Sequence, residues 1–99
     1  MRMMMKVSIP VGPGNSAIKD GSLPKTIGAF AERYKPEGAY FGTENGQRTA
    51  FFFFDMKSNA DVPSIAEPFF MNLNAQIELQ PVMSIADLRS GIEQAMKQG

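Results

Sequence analysis

The sequence has no cysteine and no histidine. Without cysteine there is no disulfide, no thiolate nucleophile and no thiolate to hold an iron–sulfur cluster. Without histidine the commonest metal ligand is missing, as are the usual general base near neutral pH and the axial ligand of most haem proteins. Neither a metal site nor a cofactor is expected. Charge of one sign is not in excess either, because ten basic and ten acidic residues cancel. A neutral chain has no field to recruit nucleic acid or an anionic membrane, so neither is an expected partner. No stretch approaches the roughly 20 apolar residues of a membrane span. The opening Met1-Arg2-Met3-Met4-Met5-Lys6 is interrupted by Lys6, Ser8 and Pro10 and is followed by no small-residue cleavage site. It does not read as a signal peptide, and a cytoplasmic location is expected.

What the sequence does have is an unusual centre, Arg48-Thr49-Ala50-Phe51-Phe52-Phe53-Phe54-Asp55-Met56. Side chains of a strand alternate between its faces, so Phe52 and Phe54 point one way and Phe51 and Phe53 the other. Bulky apolar groups on both faces call for cover on both faces. A chain of 99 residues forms one domain, spanning 1–99, with enough helix to cover one side of a small sheet. The second side asks for another molecule.

The remaining elements follow in order. Met3 to Pro10 alternates, with Met3, Met5, Val7 and Ile9 on one face and Met4, Lys6 and Ser8 on the other. Pro10 and Gly12-Pro13-Gly14 read as its end and a turn. Asn15 or Ser16 could cap a short helix, and the apolar spacing predicts a main helix from about Leu23 to Tyr34. Asn45-Gly46 between two strand-like runs predicts a tight hairpin with positive φ at both residues. That turn sets Tyr40 opposite Phe51 and Phe41 opposite Ala50. Asp61 reads as a helix cap with Pro63 in the first turn, and Pro68 lies inside the helix that follows. Ala75 to Gln80 alternates again. Ser84 and Asp87 then resemble a capping box before a last stripe of Ile85, Leu88, Ile92 and Met96.

The order is βαββαβ plus a C-terminal helix, the order of an α+β, ferredoxin-like domain with a four-stranded antiparallel sheet. In that arrangement the first strand and the phenylalanine-rich strand are central. Met3, Met5, Val7, Phe41, Phe52, Phe54, Ile77 and Leu79 are assigned to the face under the helices. Lys6, Ser8, Tyr40, Phe51, Phe53, Asp55, Glu78 and Gln80 are assigned to the open face.

With this order, Pro36-Glu37-Gly38-Ala39-Tyr40-Phe41, Gly46-Gln47-Arg48, Asp55-Met56, Ile65-Ala66-Glu67-Pro68 and Pro81-Val82-Met83 resemble an uncharacterised bacterial branch of the dimeric α+β barrel superfamily. The resemblance implies a homodimer that packs its open sheet faces into a shared barrel. Relatives include cofactor-independent monooxygenases of the antibiotic-biosynthesis type, muconolactone isomerase and haem-binding proteins. The haem binders use a histidine, and the monooxygenases often use Trp, Asn or His, so the absent His and Trp weigh against both inheritances.

Candidate chemistry therefore rests on the open face. Tyr40, Phe51, Phe53 and Lys6 are the candidate ligand-binding residues, for a small apolar or aromatic molecule. Asp55 and Glu78 are the candidate catalytic carboxylates, since a carboxylate among aromatic rings has a raised pKa and can move a proton. The competing reading is an ion pair of either carboxylate with Lys6 at the rim of a dimer interface, and a purely structural dimer remains a third. Arg48 reads as a solvated hairpin arginine or an anion contact. Gly12-Pro13-Gly14 lacks the following Lys-Ser/Thr of a phosphate loop. Eight methionines suit adaptable packing.

Overall fold

In a computed structural model that describes residues 1–98, the chain runs β1 (Arg2–Ile9), α1 (Val11–Asp20), α2 (Ser22–Tyr34), β2 (Gly38–Glu44), β3 (Gln47–Asp55), α3 (Asp61–Leu73), β4 (Gln76–Pro81) and α4 (Ile85–Gln98). The four strands form one antiparallel sheet in the order β2-β3-β1-β4. This is an α+β architecture compatible with a ferredoxin-like domain. It departs from the simplest form in carrying two helices in the first crossover and a fourth helix at the end.

The β2–β3 hairpin follows from its turn. Asn45 and Gly46 have φ of 53° and 73°, the positive values that a two-residue turn of this hand requires. Glu44 then pairs with Gln47, Tyr40 with Phe51 and Ala39 with Phe52. On β1, Met5 faces Phe52 and Lys6 faces Phe51. The expected alternation holds along β1 and from Ala50 to Phe54 on β3. Met3, Met5, Val7, Ile9, Ala50, Phe52 and Phe54 are buried under the helices, joined there by Phe30, Ile65, Phe69 and Leu73. Phe30 is the hub of this core, with its ring 4.9 Å from Phe52, 5.2 Å from Phe54 and 5.8 Å from Phe69.

Four expectations are corrected. Gly12-Pro13-Gly14 is not a turn after β1 but the first turn of α1, where the missing N–H of Pro13 costs no helical hydrogen bond. Gly14 is buried there, and a Cβ on it would come within 2.6 Å of Arg48 Nη1. Arg48 is accordingly not a solvated hairpin residue, because its Nη2 donates to Asn15 Oδ1 at 2.9 Å and ties β3 to α1. Asp61 is the first residue of α3 and not its cap; Ala60 precedes it with no side-chain capping bond. Phe41 is on the helix side, touching Phe52 edge-on, yet it is 61% exposed because the helices do not reach the edge strand β2.

The capping box at the last helix is present. Ser84 N–H donates to Asp87 Oδ2 at 3.2 Å, and Asp87 N–H donates to Ser84 Oγ at 3.1 Å. Beyond it α4 buries none of its residues and makes no extensive contact with another element among the described residues. It leaves Ile85, Leu88, Ile92 and Met96 in solvent. The radius of gyration is 15.9 Å, against about 13 Å for a compact chain of this length, and the long axis is 55 Å. Among the described residues no helix is long and apolar enough to cross a membrane.

Candidate functional site

The open sheet face is ordered by strand register into rows. One row crosses all four strands as Tyr40, Phe51, Lys6 and Glu78, each paired with the next. The adjacent row holds Gly38, Phe53, Met4 and Gln80. Gly38 has a specific use here. A Cβ would meet the Tyr40 ring at 3.2 Å and the Phe53 ring at 3.6 Å, so the two rings flank a position kept open by glycine. Tyr40 is 64% exposed, whereas Phe51 and Phe53 are half-buried. The four candidate ligand contacts, Lys6, Tyr40, Phe51 and Phe53, therefore share one surface.

Lys6 is held by two carboxylates. Its Nζ lies 3.3 Å from Glu78 Oε2 and in closer contact with Glu44 Oε1. Glu44, hydrogen-bonded to the ammonium, is the main reason that the Lys6 pKa is raised; Glu78 adds to it and partial burial opposes it. Glu44 is the functional neighbour that sequence reasoning missed. The hairpin register already placed it on the face of Tyr40, but Lys6 was matched only with residues on adjacent strands. Together Lys6, Ser8, Glu44, Asn45, Gln47, Gln76, Ile77 and Glu78 line a polar concavity of about 390 Å³.

Asp55 is elsewhere. It pairs in register with Arg2 at the end of the sheet, four residues from Phe51, or about 13 Å along the strand. Its Oδ2 accepts from Lys57 Nζ at 2.5 Å and its Oδ1 from the Met1 ammonium at 2.6 Å. These contacts, the lysine first, lower its pKa to about 2. The raised pKa expected of a carboxylate among aromatic rings is therefore overturned for Asp55, because two cations hydrogen-bond to it and outweigh the effect of its surroundings. Nor does Lys6 reach Asp55. Arg2 is a further ionisable side chain on this face, with Nε donating to Glu37 Oε1 at 2.5 Å.

No family model matches the chain, and no curated protein matches it. A solved structure described as the de novo designed protein Ferredog-Diesel is similar in fold, with a TM-score of 0.53 and 10% sequence identity over 82% of this chain and 85% of that one. That likeness concerns the α+β fold alone, and no family match supports the monooxygenase-like branch suggested by the sequence pattern.

Proposed function

We propose that this chain acts as a homodimeric, ferredoxin-like barrel protein that binds a small apolar or aromatic molecule between its open sheet face and the partner subunit. The observation that carries this reading is the uncovered face itself. Tyr40, Phe51 and Phe53 lie together there with no helix above them, beside an ammonium already neutralised by carboxylates. Exposed apolar surface of this kind is a recognised mark of an interaction or ligand site. The exposed stripe of α4 supplies a second apolar surface in search of cover, which favours association of two copies. A molecule bound between them would meet aromatic rings on one side and Lys6, Glu44 and Glu78 on the other.

The alternative of a cofactor-independent isomerase or monooxygenase with Asp55 or Glu78 as base draws less support. Asp55 is too weak a base, and Glu78 is engaged with Lys6. Sedimentation equilibrium, followed by amide NMR titration with naphthalene as a neutral aromatic probe, tests the binding reading. A dimer with saturable shifts at Tyr40, Phe51 and Phe53 is expected. A folded monomer at every concentration, with no shift on this face, overturns it.

A further inference from the structure

The opposite side of the molecule has its own concavity, of about 400 Å³, between α2 and α3. That volume falls at the lower end of the range for small-molecule sites. Its floor is apolar and buried: Phe30, Ile65 and Phe69 are each at most 5% exposed. Its polar groups are unevenly charged. Lys25 and Arg33 are on its lining, both exposed, and no carboxylate lines it. Neither cation is engaged in an ion pair among the described residues; the Arg33 guanidinium instead lies 5.3 Å over the Tyr34 ring.

Unused hydrogen-bonding capacity collects at the same place. Thr26 is buried and accepts from Asn72 Nδ2 at 3.1 Å, a bond that spans from α2 to α3 and leaves the Asn72 carbonyl without a hydrogen bond among the described residues. Tyr34, also on the lining, has a buried hydroxyl with no partner among the described residues. Pro68 sits inside α3 and has no N–H to offer the Ser64 carbonyl, and both residues line the concavity. The mid-helix proline, unexplained by the packing of the sheet, thus falls where a cleft opens between two helices.

We infer that the α2–α3 cleft is a binding site for a small amphipathic anion, an apolar chain or ring bearing one carboxylate-like head. The apolar body rests on Phe30, Ile65 and Phe69, and the head lies toward Lys25 and Arg33, the two cations of a lining that carries no carboxylate. Thr26 and Asn72 fix the depth of entry. This site is on the far side of the sheet from Tyr40, Phe51 and Phe53 and does not depend on the sheet-face reading.

The test is an amide NMR titration of the full chain with decanoate, and in parallel with decanol, which has the same body and no charge. Decanoate is expected to give saturable shifts at Thr26, Ala29, Phe30, Ile65, Phe69 and Asn72, and to bind more tightly than decanol. Lys25→Glu with Arg33→Glu should weaken decanoate about tenfold and leave decanol nearly unchanged. Both side chains are exposed, so the double variant keeps its fold. Ala29→Leu, which narrows the cleft without touching charge, should weaken both probes. Equal affinity for the two probes, or decanoate shifts confined to α4 or to Lys6, Phe51 and Phe53, overturns the assignment; the last outcome would leave the sheet-face reading intact.

Discussion

Lys6 and Glu44 lie on strands that do not touch. Lys6 is on β1 and Glu44 on β2, with β3 between them, so their ion pair passes over the open face of β3. Thr49, on that part of β3, is only 3% exposed although strand parity puts it on the open face with Phe51 and Phe53. A lysine stem laid across a strand shelters what lies beneath it while its charge stays at the surface. The face is thus partly closed by a charged strap at one end and left aromatic at the other.

The strap has a pH signature. The folded pKa of Lys6 is raised above 10.5, so its stabilising contribution is complete below that value and is lost as pH rises through the folded pKa. Heteronuclear NMR of the Lys6 side chain should show deprotonation later than 10.5. Glu44→Gln should bring the midpoint down further than Glu78→Gln, since the Glu44 hydrogen bond is the larger cause. Equal effects of the two substitutions would show that Glu44 is not the principal partner.

Asp55 has the opposite sign. Its folded pKa of about 2 lies below the ordinary 3.8, so its contribution is present above 3.8 and disappears as pH falls toward 2. A carboxyl carbon titration should place the midpoint near about 2 in the native chain. Lys57→Met should move it upward. An Asp55 midpoint above 3.8 would restore the aromatic-neighbour reading and with it the case for a catalytic base.

Adjacent phenylalanines should respond to truncation in different ways. Phe52 is fully buried, so Phe52→Ala should cost roughly 3–5 kcal/mol of subunit stability whatever the protein concentration. Phe53→Ala removes a half-buried ring from the open face and should act on association, so its thermal melt should recover as concentration rises. Melts of the two variants with the same concentration dependence would remove the distinction between the faces.

Local rules were legible in the sequence; reach and cover were not. Strand parity and the Asn45-Gly46 turn placed Phe51, Phe52, Phe53 and Phe54 correctly, because both depend on backbone geometry within a few residues. The capping box at Ser84 and Asp87 was readable for the same reason. Phe41 was put on the right side but under helices that stop short of β2, and helix placement over an edge strand depends on distant packing. The start of α1 was missed because Gly12-Pro13-Gly14 has turn composition, while the need for a bare backbone at Gly14 arises from Arg48, far away in sequence. The Lys6–Glu44 pair skips a strand, beyond what neighbour pairing describes. Lys57, two residues after Asp55, was the readable sign that this carboxylate would be held acidic.

The last helix carries the strongest expectation about assembly. α4 has 14 residues, a length at which an isolated helix in water is marginal, and it buries none of its residues in its own subunit. Its stripe of Ile85, Leu88, Ile92 and Met96 repeats at helical spacing and is about half exposed or more at every position. At ~1.5 Å per residue the helix is roughly 21 Å long, comparable with the width of a four-stranded sheet at ~4.8 Å per strand. Replacing Leu88 and Ile92 by Asp should therefore leave β1–β4 and α1–α3 folded while reducing association. Light scattering should report a smaller species, amide exchange should stay slow at Phe52 and Met5, and circular dichroism should lose helix in the amount of α4 alone. An unchanged mass would show that α4 plays no part in the proposed association, whereas loss of protection at Phe52 would show that α4 supports its own subunit after all.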